Sequence, residues 1–171
     1  MIGLKIEGAA DVARQIERTG GDARVALVKG LFKAAMIVRT AAVRGINKGK
    51  KSGRVYRNGG VLHRASAQGE YPAADTGILA GSIHHIVDPI KLEGRVEASA
   101  AYAIPLEYKP PERGGRPFLT RAYDENVGKV QLVIRDALAE ALAAANPGVH
   151  LPGAGASRLR YSRRVVRSRV G

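Results

Sequence analysis

The segment 114–145 constrains the fold more than any other part of the chain, because a single apolar face continues through it. Its apolar residues recur every three or four positions, as they do along one side of an α-helix: Leu119, Ala122, Tyr123, Val127, Val130, Ile134, Ala137, Leu138 and Leu142. Pro117 suits the first turn, where a helix leaves its N–H groups unpaired. Roughly 28 residues of helix measure about 42 Å. The segment therefore predicts one long helix that serves as a framework for the domain or for an assembly.

A second long amphipathic helix is predicted over 23–46, where apolar residues keep the same spacing. The alternation of apolar and polar residues over 2–7 predicts a short strand. Further strands are predicted at 84–87 and 92–98, and a short helix at 11–19. Two long helices beside a few short strands indicate an α+β domain, in which a small, mostly antiparallel sheet is packed by the two helices.

The chain divides where the long helix ends. Residues 1–146 form the predicted domain, and residues 147–171 form a linker and an extended, basic C-terminal arm. The arm is either an edge strand or a segment that becomes ordered against another subunit. Within the domain, the stretch 48–69 is rich in Gly, Lys, Arg and Ser and shows no regular apolar spacing. It is predicted to be a basic loop that stays mobile until a partner neutralises its charge.

The 171 residues carry a formal net charge of +13, and two stretches contain no carboxylate. None lies between Asp22 and Glu70, and none follows Glu140. Stretches of this kind favour a polyanion such as nucleic acid, or an acidic protein surface. The residues predicted to contact a partner or DNA are Lys48, Lys50, Lys51, Arg54 and Arg57 in the loop and Arg158, Arg160, Arg163, Arg164, Arg167 and Arg169 in the arm. No helix-turn-helix or finger pattern is present to read bases.

Signatures of catalysis and of metal or cofactor binding are weak. The chain has no Cys, which excludes disulfides, thiolate catalysis and cysteine zinc sites. The adjacent His84 and His85 would point to opposite faces of a strand and therefore could not chelate one metal together. No spacing singles out an acid–base pair among the carboxylates of the middle segment, which are Asp75, Asp88, Glu93, Glu97, Glu107 and Glu112. The sequence thus predicts no enzyme, no metal site and no cofactor.

Membrane insertion and secretion are not predicted either. No apolar run reaches the roughly 18 residues of a membrane span, and the N-terminus lacks the layout of a signal peptide. The expected environment is a reducing cytoplasm, with no membrane partner.

Three motifs in order along the chain resemble those of one family. They are Asp75-Thr76-Gly77-Ile78-Leu79-Ala80-Gly81-Ser82-Ile83, then Tyr102-Ala103 followed by Glu107-Tyr108, and then Arg116-Pro117-Phe118-Leu119. With the N-terminal strand and the long helices, they resemble the head–tail neck, or tail-completion, minor structural proteins of long-tailed siphophages and prophages. The resemblance covers about residues 1–145. The chain departs from the family pattern at Tyr108-Lys109-Pro110-Pro111, where the family usually has Gly-Thr.

The resemblance implies a non-catalytic subunit of a homo-oligomeric ring, expected to be a hexamer, that joins the capsid portal to the tail. The implied partners are connector or head-closure, tail-terminator and tail-tube proteins, with non-specific contact to DNA in the channel. The implied location is the virion, after assembly in the host bacterial cytoplasm. The motif residues with an implied structural role are Asp75, Thr76, Gly77, Leu79, Ser82, Tyr102, Glu107, Arg116, Pro117, Phe118 and Leu119. The alternative is a basic nucleic-acid-binding protein that uses the loop and the arm.

Overall fold

The computed structural model describes residues 2–6, 21–145 and 161–162. The strands are β1 (Ile2–Ile6), β2 (Val55–Asn58), β3 (Val61–Arg64), β4 (Ile83–Asp88), β5 (Glu93–Ala98) and β6 (Tyr161–Ser162). The α-helices are α1 (Gly21–Lys48), α2 (Ile78–Gly81), α3 (Ala103–Tyr108), α4 (Leu119–Asp124) and α5 (Val127–Ala145), and a 3₁₀ turn spans Pro111–Arg113. The predicted α+β class is confirmed.

The main sheet has four strands in the order β4-β5-β1-β6, and each neighbouring pair is antiparallel. The strands predicted at 2–7, 84–87 and 92–98 are confirmed as β1, β4 and β5. Val96 lies opposite both Leu4 and His85 and is fully buried. The helix α1 crosses this face of the sheet, where it contacts β4 and β5.

The helix α5 packs along α1 with little space between the two backbones. A Cβ added at Gly30 would lie 2.2 Å from the Cβ of Ala137, far inside van der Waals contact. Ala34, Ala35 and Ala42 on α1 are also fully buried. Small side chains therefore set the distance between the helices, and dispersion over many close contacts stabilises a core that has few aromatic residues.

The single long helix predicted from residue 117 onward is wrong, because the chain turns at Glu125 and Asn126 between α4 and α5. The side-chain amide of Asn126 donates to the carbonyl of Ala122 at 2.9 Å, and its backbone N–H bonds to the carbonyl of Tyr123, three residues back. Local side-chain bonds of this kind compete with the α-helical ladder. Pro117 also lies outside the first turn, since α4 begins at Leu119 and Phe118 is its N-cap residue.

The stretch 48–69 contains an antiparallel hairpin of β2 and β3, whereas the sequence predicted a loop. Gly59 and Gly60 join the strands with φ of 55° and 83°. Two successive positive φ angles define a type I′ turn, which matches the twist of the flanking strands and is typical of Asn-Gly and Gly-Gly pairs. The sequence carries this signal in Asn58-Gly59-Gly60, flanked by β-forming residues.

Several predicted features lie outside the described residues: the helix at 11–19, most of the linker and arm, and the arginines Arg158, Arg160, Arg163, Arg164, Arg167 and Arg169. Within the arm, Tyr161 and Ser162 pair with Ile6 and Lys5 of β1. This pairing agrees with the edge-strand alternative for these two residues. None of the described helices is long and apolar enough to cross a membrane.

Candidate interaction surfaces

Asp75, the first residue of the first motif, holds the β2–β3 hairpin. Its carboxylate lies 2.9 Å from Nδ1 of His63 and accepts hydrogen bonds from the Tyr56 hydroxyl (3.3 Å) and the Asn58 amide (3.4 Å). The rings of Tyr56 and His63 stack with centroids 5.7 Å apart. Burial and the neighbouring carboxylate raise the pKa of Tyr56. Gly77, at φ 76°, is the N-cap residue of α2, and no side chain caps this helix.

Glu70 closes the base of the hairpin. Its carboxylate accepts the hydroxyl of Ser52 (2.6 Å) and the backbone N–H groups of Ser52 (2.9 Å) and Ala67 (2.8 Å). These hydrogen bonds, with the Ser52 hydroxyl the largest contribution, lower the pKa of Glu70 to about 2. The residue was not predicted as a site, because nothing in the sequence links it to a partner eighteen residues earlier.

The hairpin has two different faces. Tyr56 and His63 lie opposite each other on the face held by Asp75. Side chains alternate along a strand, so the other face, named here the outer face of the hairpin, carries Val55, Arg57, Leu62 and Arg64. All four are exposed, with Val55 at 44% and Leu62 at 65%. Aliphatic side chains exposed beside arginines are typical of a surface that binds a partner.

The second and third motifs meet at one buried carboxylate. Glu107 on α3 is 5% exposed and accepts the backbone N–H groups of Phe118 (2.7 Å), Leu119 (3.0 Å) and Thr120 (2.8 Å). These donors belong to the N-cap residue and the first turn of α4, and a helix start would otherwise leave them unpaired. Glu107 thus replaces a local N-cap side chain, and its charge suits the positive end of the helix.

Arg116 connects this cap to the hairpin. Its Nη2 donates to the carbonyl of Ser66 at 2.9 Å, next to Ala67, which bonds to Glu70.

The motif residues Leu79, Phe118 and Leu119 are buried, whereas Thr76 and Tyr102 are exposed. Ser82 closes α2 by donating its hydroxyl to the carbonyl of Leu79 at 2.8 Å. The three motifs therefore support one corner of the molecule, where the hairpin leaves the domain.

A basic cleft of about 760 Å³ lies between the C-terminal half of α1 and the turn from α4 to α5. Its exposed cations are Arg44, Lys48, Lys50 and Lys129. Two of these, Lys48 and Lys50, were among the predicted contact residues. Arg44 and Lys129 were not, because the fold brings them together from separate helices.

Fixed polar contacts form one wall of the basic cleft. The Tyr71 hydroxyl donates to Glu125 at 2.7 Å, and Arg121 lies 4.5 Å from the centre of the Tyr71 ring. Burial and the bond to Glu125 raise the pKa of Tyr71. For Glu125, burial acts to raise the pKa, but hydrogen bonds from Arg121 and Tyr71 lower it overall. Arg121 and Glu125 are thus paired with each other, which leaves the four exposed cations available to an anionic ligand.

The two adjacent histidines lie on opposite faces of β4, as predicted. Nε2 of His84 lies 3.5 Å from Glu97, while the His85 ring packs edge-on against Phe32 of α1 with centroids 4.8 Å apart. Burial lowers the pKa of His85. Among the described residues, no three His, Asp or Glu side chains come close enough to hold a metal ion. Phe32 itself is half exposed, together with Val25 and Met36 on the same helix.

Comparison of the chain with protein-family models, with curated proteins and with solved structures gives no match.

Proposed function

We propose that the protein is a non-catalytic structural subunit that forms a ring in the neck of a phage or phage-like particle. In this proposal the ring joins the capsid portal or connector to the tail and surrounds the DNA channel. Its partners are other copies of the chain, expected to number six, and the connector, tail-terminator or tube proteins on either side. The protein acts in the virion, after assembly in the host bacterial cytoplasm.

The observation that carries the proposal is the network between the three motifs. Asp75 holds one face of the hairpin, and Arg116 reaches its base at Ser66. Glu107 fixes the start of α4, which directly follows the segment that contains Arg116. The motif residues thus hold a projection whose outer face is both aliphatic and cationic. An anchored projection of this kind suits a subunit whose work is to form interfaces, and it supports the role that the resemblance implies.

A nucleic-acid-binding protein is the second candidate, favoured by the basic cleft. The four exposed cations Arg44, Lys48, Lys50 and Lys129 border one concave surface. If all four met phosphates, binding would weaken with salt at a slope of about −3.6 on logarithmic axes.

Mass measurement and imaging separate the two candidates. For the ring subunit, light scattering of the full chain should give the mass of several copies, and imaging of intact particles should place it at the head–tail joint. A monomer that is absent from particles and binds DNA with the predicted salt slope would replace the first proposal with the second. In that case Lys48→Ser with Lys129→Ser should reduce the slope by about 2, one phosphate each, whereas Lys109→Ser with Arg113→Ser, outside the cleft, should leave it unchanged.

A further inference from the structure

We infer that the outer face of the hairpin in one copy docks on the exposed side of α5 in the next copy, with Arg57 and Arg64 against Asp136 and Glu140. The inference rests on the proposed ring and names the two surfaces that would close it. Both surfaces lie in the described part of the chain and are exposed, and within one subunit Asp136 is paired with its exposed neighbour Arg135.

The receiving surface is a stripe along α5. Its members are exposed, follow steps of three and four and therefore share one side of the helix; they are Leu132, Asp136, Ala139, Glu140 and Ala143, and the exposed cations Lys129 and Arg135 border them. The two carboxylates are one turn apart, and Leu132 is one turn before Asp136. Asp136 also lies 3.3 Å from Arg135. That pair joins exposed neighbours and contributes little, so Asp136 can exchange this partner for another.

The charges and spacings of the two surfaces correspond. Val55 lies opposite Arg64 and Arg57 opposite Leu62, so the two arginines are diagonal neighbours, about 7–8 Å apart. The Cβ atoms of helix residues four apart, such as Asp136 and Glu140, are about 5–6 Å apart. Long arginine side chains can make up the difference between these two spacings, and each guanidinium can form a bidentate pair with one carboxylate. Leu62 would then lie against Leu132, with the alanines of α5 leaving room for Val55.

The two surfaces lie at different ends of the subunit. The hairpin base at Glu70 adjoins Tyr71, which packs against Gly45 of α1, whereas Ala137 of α5 packs against Gly30. Gly30 and Gly45 are about 22 Å apart along the axis of α1, at 1.5 Å per residue. The hairpin base and Asp136 are thus at different ends of α1, and the partner of Asp136 within its own chain is Arg135. The proposed contact therefore joins unlike surfaces of two copies. Repeated contacts of this heterologous kind close a ring when the rotation from copy to copy closes, and otherwise they form an open filament.

A charge exchange in the full-length chain tests the contact. Arg57→Glu with Arg64→Glu should raise the concentration at which the assembly half-dissociates by about tenfold or more, since two pairs become repulsive. Asp136→Arg with Glu140→Arg should do the same. The fourfold variant, with all four charges exchanged, should regain assembly close to that of the original chain. Lys109→Glu with Arg113→Glu makes the same change in charge on an exposed segment and should leave assembly unchanged.

Cross-linking gives a second readout that does not depend on charge. The chain has no Cys, so Leu62→Cys with Leu132→Cys introduces the only thiols. Under oxidation this variant should give a ladder of covalent oligomers, while either single variant should give none beyond a dimer. Rings that neither cross-link nor respond to the charge exchange would overturn the inference and leave the proposed ring intact. A chain that is monomeric at all concentrations and missing from particles would overturn both.

Discussion

Replacing Glu107 tests the hydrogen bonds that its buried carboxylate accepts at the start of α4. Two of the N–H groups that its carboxylate accepts, those of Phe118 and Leu119, are buried, and the third, of Thr120, is partly buried. A buried donor left without an acceptor costs about 1–3 kcal/mol. Glu107→Ala should therefore lower the free energy of unfolding by about 3–5 kcal/mol, a large part of the 5–15 kcal/mol that is typical of a domain.

Urea unfolding at neutral pH measures this loss, and two variants control it. Glu107→Gln keeps one oxygen for Phe118 and Leu119 but turns an amide toward the N–H of Thr120, so we expect a loss of about 1–2 kcal/mol. Glu112→Ala removes an exposed carboxylate from the nearby 3₁₀ turn and should change stability by no more than about 0.5 kcal/mol. Hydrogen exchange at Leu119 and Thr120 should accelerate with Glu107→Ala. If Glu107→Ala lowered the free energy of unfolding by less than about 1 kcal/mol, the account would be refuted, since water would then replace the carboxylate as the acceptor for these donors.

Three other contacts give distinct predictions. In the folded protein the pKa of Glu70 is lowered to about 2 from an ordinary 4.5. The stabilisation by the Glu70 carboxylate is therefore complete above about pH 4.5 and is lost as the pH falls toward 2. Hydrogen exchange of the hairpin should show this pH dependence, and Glu70→Gln should abolish it. Asp75→Ala should release the hairpin at a cost of up to about 1 kcal/mol. Hydrogen exchange in β2 and β3 should become faster, while the unfolding midpoint of the core hardly moves. Hydrogen-exchange protection of the hairpin equal to that of the original chain would contradict the role of Asp75 in holding it. Gly30→Ala should push α1 away from α5 and lower the free energy of unfolding by about 1–3 kcal/mol, or several degrees in melting temperature. Adding Ala137→Gly should restore much of this stability. An unchanged melting temperature for the single variant would contradict the close approach of the two helices.

Features set by local periodicity were predictable from the sequence. The helix α1 and the strands β1, β4 and β5 follow from apolar spacing, because each buries one face against the others. The break between α4 and α5 was missed, since Asn126 interrupts the backbone ladder without interrupting the apolar pattern. The hairpin was missed for a different reason. Its composition suggested a loop, although Asn58-Gly59-Gly60 carries a specific turn signal.

Contacts between distant residues were predictable only in part. The motifs singled out in the sequence pointed to both Glu107 and Phe118, but not to the hydrogen bond that joins them across eleven residues. Spacing within a motif cannot show which side chain meets which backbone group after folding. The basic cleft shows the same limit, because Arg44 and Lys129 meet only when α1 and α5 pack together. Single residues on separate helices leave no pattern in the sequence.

The cap supplied by Glu107 has a practical consequence for the segment that it spans. The start of α4 is fixed from α3 and not by the residues immediately before it, so the exposed stretch 109–114 does not determine where α4 begins. An insertion between Glu112 and Arg113 would lengthen an exposed connection while both ends remain held by the same carboxylate. Surface connections of this kind tolerate added residues. A small tag placed there would serve as a fiducial label, with which electron microscopy could test whether copies of the chain lie in an assembled particle.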